Sequence, residues 1–212
     1  MVRKNKMNYW NNDNIIDSNC NSISSDIEIC TEINESNINI TSVDNIPKLL
    51  NMQKSKLRVE RAGVIVYTIY NNEYYFGMGI DTDSGDITDF GGGIKKKDIS
   101  LIDGGLREFT EESLGVFGKF EPSEIQNCIT IYSGTTLIIF IPLILDTKRI
   151  SEIFKSRVEC IKNPEVKSIF WGNRENFMEL ISGNTVKQHK MYHRIRILCA
   201  NALKKKNFLN ML

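Results

Sequence analysis

The chain has 212 residues, enough for one domain or one domain with an appendage, and its 41% hydrophobic and 25% charged content is that of a soluble globular protein. A formal net charge of +1 supplies no global field that would demand nucleic acid or a membrane surface, so such partners must be argued from local patches. The five cysteines (Cys20, Cys30, Cys128, Cys160, Cys199) form no CxxC pair and no Cys/His cluster, which argues against a disulfide framework or a zinc site and for reduced thiols in a cytoplasmic setting.

Residues 1–55 are a low-complexity segment. They are rich in Asn, Ser, Asp and isolated Ile, and their first fifty positions contain no glycine and no sustained periodicity. Such a stretch buries little apolar surface, so most of it is expected to be disordered or loosely attached. Pro47-Lys48-Leu49-Leu50 reads as linker, with a short docking element as the alternative. The basic residues of the first twelve positions have no apolar run behind them, so they do not read as a signal peptide. The folded domain is expected over residues 56–212.

Residues 61–70 are β-branched and aromatic and predict a buried strand; Asn71-Asn72 is a turn signal, and residues 73–79 return as a second strand. A polar loop over 81–89 leads to Phe90-Gly91-Gly92-Gly93, read as a flexible turn. A helix is predicted over 100–114, opened by a Ser100/Asp103 capping box and closed at Gly115, with Ile102, Leu106 and Phe109 as its inner face. Strands are predicted at 126–132 and 135–145, joined by Ser133-Gly134. The apolar run 137–145 is too short to span a bilayer and contains Pro142, so it reads as a buried strand and no membrane association is expected. A short helix over 148–155, a strand over 166–171 and helices over 173–181 and 186–205 complete the pattern. Helices that punctuate a mostly hairpin-connected sheet imply an α/β layered domain rather than a doubly wound parallel one.

The chemistry is concentrated on the 100–114 helix. Glu108, Glu111 and Glu112 stand at i, i+3 and i+4, which gathers three mutually repelling carboxylates on one helical face. Hard divalent cations relieve such repulsion with oxygen ligands and keep waters and substrate phosphates around them. A solvated acidic face is the alternative for the six residues taken alone. Gly104 and Gly105 lie one turn upstream of Glu108, where glycine costs roughly 1 kcal/mol each relative to alanine. Room for phosphates and tight packing against the sheet explain them equally well.

Gly93 followed by Arg107-Glu108-Phe109-Thr110-Glu111-Glu112 resembles the Nudix box, G-x5-E-x7-R-E-U-x-E-E-x-G-U, in which U is apolar. The flanks are similar too: a strand and hairpin before the box, strands after it, and a carboxylate preceding a Trp-bearing strand, so the likeness of element order spans about residues 57–203. Two positions depart from the pattern. Ile99 stands where the box has glutamate; Asp98 falls one residue early, or at the family's distance if Gly92 is the motif glycine. The exit Glu112-Ser113-Leu114-Gly115 is one residue long.

The resemblance implies an α/β/α sandwich with a mixed sheet. It also implies a Mg2+- or Mn2+-dependent hydrolase that splits a diphosphate linkage in a nucleotide or other diphosphate-containing substrate. Glu108 and Glu112 would be principal metal ligands, Glu111 would complete the cluster or act as base, Gly92 and Gly93 would offer carbonyls, and Arg107 would orient the carboxylates. Glu165, with Glu159 as competitor, would be a further acid ahead of the Trp171 strand. Family substrates include free nucleotides, diphosphoinositol polyphosphates and capped mRNA. The Asn-rich composition resembles Nudix proteins of large DNA viruses, which makes mRNA decapping with release of m7GDP, in a host cytoplasm, a named alternative. A degenerate domain that binds a nucleotide without catalysis is the alternative of another class, motivated by Ile99.

Residues 187–196, with Lys204-Lys205-Lys206, are locally basic and would suit RNA or a polyphosphate, though a solvated helix face explains them as well. His189 and His193 lack an acidic partner nearby in sequence and are weak metal candidates. Tyr67, Tyr70, Tyr75 and Phe76 are expected mostly in the core, with base stacking as the alternative for one of them.

Overall fold

The structure, a computed structural model, describes residues 59–212 and, before them, the strand Ser42–Asn45. The remainder of the 1–55 segment, Pro47-Lys48-Leu49-Leu50 included, lies outside the described residues.

One mixed sheet is covered by helices on both faces, the α/β/α sandwich expected from the sequence. Its strands are β1 (Ser42–Asn45), β2 (Arg61–Tyr70), β3 (Glu73–Asp81), β4 (Ile87–Thr88), β5 (Phe90–Gly93), β6 (Ile129–Tyr132), β7 (Thr136–Pro142) and β8 (Val166–Asn173). The helices are α1 (Leu101–Glu112), α2 (Thr147–Val158), α3 (Arg174–Ser182) and α4 (His193–Lys205). Among the described residues, no helix is long and apolar enough to cross a membrane.

Strand β2 sits at the centre because both its faces are apolar. Ala62, Val64 and Val66 point into one core with α1, while Ile65 and Tyr67 point into the other with α3 and α4. The hairpin to β3 closes at Asn71 and Asn72, both with positive φ, the backbone that a tight two-residue turn requires. On its other edge β2 pairs in parallel with β7, from Arg61 opposite Thr136 to Tyr67 opposite Pro142.

The sheet then splits. Strands β2 and β3 are paired only from the turn down to Val66 and Gly77. Beyond that point the chain from Ile87 to Gly93 bridges the gap: Ile87 and Thr88 pair with β3, and Phe90 to Gly93 pair with β2. Asp89 lies at the crossing and is fully buried. Strand β8 covers the outer edge of β3.

Four sequence expectations change. The triple glycine is a paired strand, because close approach to Arg61, Ala62 and Gly63 of β2 leaves no room for side chains at Gly91. The 81–89 loop contains the short strand β4. The helix expected over 186–205 begins only at His193; before it, Lys187 and Gln188 take positive φ, and Met191 bridges Ile87 beside β4 with its side chain buried. The short helix near 148 runs to Val158, capped by Asp146. Upstream, the sequence reading assigned no element to Ser42–Asn45, which pair with β6 at the edge of the sheet.

Candidate active site

Helix α1 lies across β2, β5 and β7. Ser100 caps it by accepting the Asp103 amide, as its sequence predicts. Leu101, Ile102, Leu106 and Phe109 are buried, which presses the same helix's acids against the β5 backbone. The two helical glycines are explained by packing: a Cβ on Gly104 would come 2.5 Å from Ile94 and 2.9 Å from Asp98, and one on Gly105 would lie 3.2 Å from Ala62. They bring helix and sheet together and leave no cavity of their own.

Arg107 organises the acids. Its Nε donates to Asp98 Oδ1 and its Nη2 to Asp98 Oδ2, both at 2.9 Å; Nη1 donates to Glu108 and, at 3.1 Å, to Glu111; Nη2 also reaches the Gly93 carbonyl at 3.0 Å. The Asp98 hydrogen bonds are the largest influence raising its pKa, with Glu108 adding to them. The bidentate fork to Asp98 is a geometry that a lysine could not supply. Asp98 is buried, whereas Ile99 is 89% exposed. The residue at the box-glutamate position therefore faces solvent, and its neighbour holds the arginine. Asp98 also accepts the Lys95 amide at 2.7 Å.

Glu108 is buried and touches Gly92, where a Cβ would come 2.6 Å from Glu108 Oε2. Glu112 is partly buried and accepts the Gly91 amide at 2.7 Å. Burial pushes its carboxyl up to about 8, with the charge of Asp89 adding to the shift; the Gly91 amide and Arg61 pull the other way, and Glu165 contributes a further rise. Glu111 is half exposed and shares Arg107 and Lys95 with Glu108. Arg107 thus gathers Asp98, Glu108 and Glu111, whereas Glu112 turns to the Gly91 amide, near Arg61 and Asp89. Exposed Glu165 lies within electrostatic reach of Glu112, while Glu159 is the residue that ends α2.

A buried pair lies under the acids. Arg61 Nη1 donates to Asp89 Oδ2 at 2.6 Å and Nη2 to the Gly91 carbonyl at 2.7 Å, while Thr88 Oγ1 donates to Asp89 Oδ1 at 3.0 Å. Desolvation would lower the Arg61 pKa, but the charge and hydrogen bond of Asp89 outweigh it and leave it raised. The same residue, Gly91, thus holds Arg61 by its carbonyl and Glu112 by its amide. Sequence reasoning missed both members of this pair, whose only signal is an acid set directly before Phe90 and an arginine that opens an apolar strand.

No family model matches this sequence, and no curated protein matches it. Solved structures that it resembles include a Caenorhabditis elegans Ap4A hydrolase in a binary complex, at 12% identity and TM-score 0.43, with 73% of this chain and 99% of that one covered. The NUDIX domain of Shewanella oneidensis NrtR, complexed with ADP ribose, aligns at 11% identity and TM-score 0.39 over 75% and 96% of the two chains. A Listeria monocytogenes NUDIX hydrolase aligns at 14% and 0.35 over 70% and 96%.

The donor chemistry suits a hard divalent cation. Carboxylate oxygens crowd one helical face, two side-chain cations already sit on them, and Gly92 admits Glu108 to the backbone. Among the described residues no three acidic, histidine or cysteine side chains are grouped so as to hold a metal ion; Glu108 and Glu111 are paired with Arg107 and Lys95. The histidines are elsewhere: His189 contacts the Gly85 carbonyl and His193 stands beside Arg196. Tyr67 and Phe76 belong to the core on the face opposite α1, and Tyr70 is exposed beside the β2–β3 turn. Helix α4, which carries much of the basic stretch, packs into that same opposite core.

Proposed function

We propose that this protein is a Nudix-type hydrolase that cleaves a diphosphate linkage in a nucleoside-diphosphate-type substrate, with Mg2+ or Mn2+ as cofactor. One observation carries the reading: Glu112 is partly buried against the Gly91 amide, and burial, with the charge of Asp89 adding to it, pushes its carboxyl up to about 8. An acid held where its charge is disfavoured, beside two more acids on the same helical face, suits a cation that arrives with the substrate.

Glu108 and Glu112 are the residues to hold that cation, with Glu111 completing the set and the backbone of Gly92 and Gly93 adjoining it. Bound Mg2+ or Mn2+ supplies charge neutralisation at the diphosphate and lowers the pKa of an attacking water. Glu111, the most exposed of the three, would accept that water's proton at a carboxylate oxygen, with Glu165 as the competing base. Water adds to one phosphorus as the bridging oxygen leaves with the other phosphate. Arg107, fixed by Asp98, keeps the carboxylates in register while this happens. Asp98 supports catalysis over the non-catalytic alternative, because the function left open by Ile99 has an occupant.

The test is hydrolysis by the full chain with Mn2+ or Mg2+ against nucleoside diphosphate derivatives, diphosphoinositols and cap-labelled RNA, beside Glu112→Gln. Turnover of at least one substrate is expected, reduced about a hundredfold or more in the variant. Equal activity of variant and parent, or no turnover at all, overturns the reading. Release of m7GDP from RNA alone would select decapping.

A further inference from the structure

We propose that Lys95 is a diphosphate-binding residue which, before the cation binds, is parked on the acids of α1. The inference rests on the proposed hydrolase reading and deepens it by naming a residue that recognises the substrate's charge.

The backbone at Lys95 is fixed, while its side chain is half exposed and held only by ion pairs. Its amide donates to Asp98 Oδ2 at 2.7 Å, and its carbonyl accepts the Asp98 amide at 3.1 Å, so the residue is tied to the same carboxylate that holds Arg107. The side chain remains 48% exposed, and its ammonium lies 3.6 Å from Glu108 Oε1 and 3.4 Å from Glu111 Oε2. Glu108 is one of the two residues assigned to the cation, and Glu111 completes that set. Lys95 and a divalent ion therefore compete for one pair of carboxylates, and the doubly charged ion wins by Coulomb attraction. Lys95 then leaves Glu108 and Glu111 with its main chain still anchored beside Gly93. The diphosphate of a substrate bound over α1 would then supply its compensating charge. A compact ammonium on a long flexible stem suits that contact, which needs a point charge rather than a planar fork. No bond is made or broken by Lys95; it exchanges one anionic partner for another.

Two affinities measured by calorimetry on the full chain test the exchange. Removing the competing charge in Lys95→Met should tighten Mn2+ binding without substrate by about fivefold, the scale of an exposed ion pair. With Mn2+ saturating, the same variant should bind α,β-methylene-ADP, a hydrolysis-resistant diphosphate, about tenfold more weakly, and Lys95→Arg should bind it within about threefold of the parent. A lysine that only pairs with the acids would give the tighter Mn2+ binding without the weaker α,β-methylene-ADP binding. If either the Mn2+ affinity or the α,β-methylene-ADP affinity of Lys95→Met equals that of the parent, the proposal fails. That outcome is distinct from failure of the hydrolase reading, which is judged by Glu112→Gln.

Discussion

Glu112 links burial to pH in a way that can be measured. Its carboxyl moves from the usual 4.5 to about 8 in the folded chain. Between those values the folded state keeps a proton that the unfolded state has released. Stability of the metal-free protein is therefore full below the lower value and falls as pH rises through the upper one, by on the order of a few kcal/mol. Urea titrations in chelator near pH 5 and pH 9 should show this fall in the parent and not in Glu112→Gln, which should be the more stable of the two at the higher pH. A parallel fall in both would exclude Glu112 as its source. At the box-glutamate position, Ile99→Glu should change activity by less than about threefold, because the side chain points to solvent, whereas Asp98→Ala should cost about tenfold or more by freeing Arg107. Recovery of Asp98→Ala by Ile99→Glu would contradict the arrangement. Spacing placed the three acids on one helical face, since i, i+3, i+4 is a local relation, and the resemblance to the Nudix box singled out Arg107 and gave the acids a role. Asp89 and Arg61 were not legible, because their partnership exists only once β5 has paired with β2.

At the scale of elements, α1 combines a sound cap with an unfavourable interior. Gly104→Ala improves helix propensity by roughly 1 kcal/mol but drives a methyl against Ile94 and Asp98, so a net loss of about 1–2 kcal/mol is expected in chemical denaturation. A gain in stability would mean that the glycine keeps space for something other than packing. Periodicity revealed the strands and helices whose faces are uniform, such as β2, β7 and α1. It failed where a neighbour decides the conformation. The triple glycine reads as a turn, yet it is a strand paired with β2, which accepts only bare backbone at Gly91. The stretch before His193 has helical spacing, yet Met191 is taken by the edge of β4 and His189 by the Gly85 carbonyl.

For the whole molecule, the split sheet concentrates demand on one pair. Arg61 and Asp89 join the β2 side of the gap to the bridging chain, and either left alone would be a buried charge without its partner. Arg61→Met or Asp89→Asn should each cost about 3–5 kcal/mol, and the double variant less than the sum of the two. Thermal melts of the three variants measure this; additive losses would show that the two charges do not act on each other. The parallel pairing described above also bears on the time course of folding. Arg61 must find Thr136, and Tyr75 must find Asn173, so the central strands wait for partners encoded far downstream. Closing such long loops is slow relative to forming a hairpin or a helix. During synthesis, α1 emerges early but, at twelve residues with two glycines, is marginal by itself, and the framework that gives its acids a fixed address is assembled only after β7 and β8 have emerged.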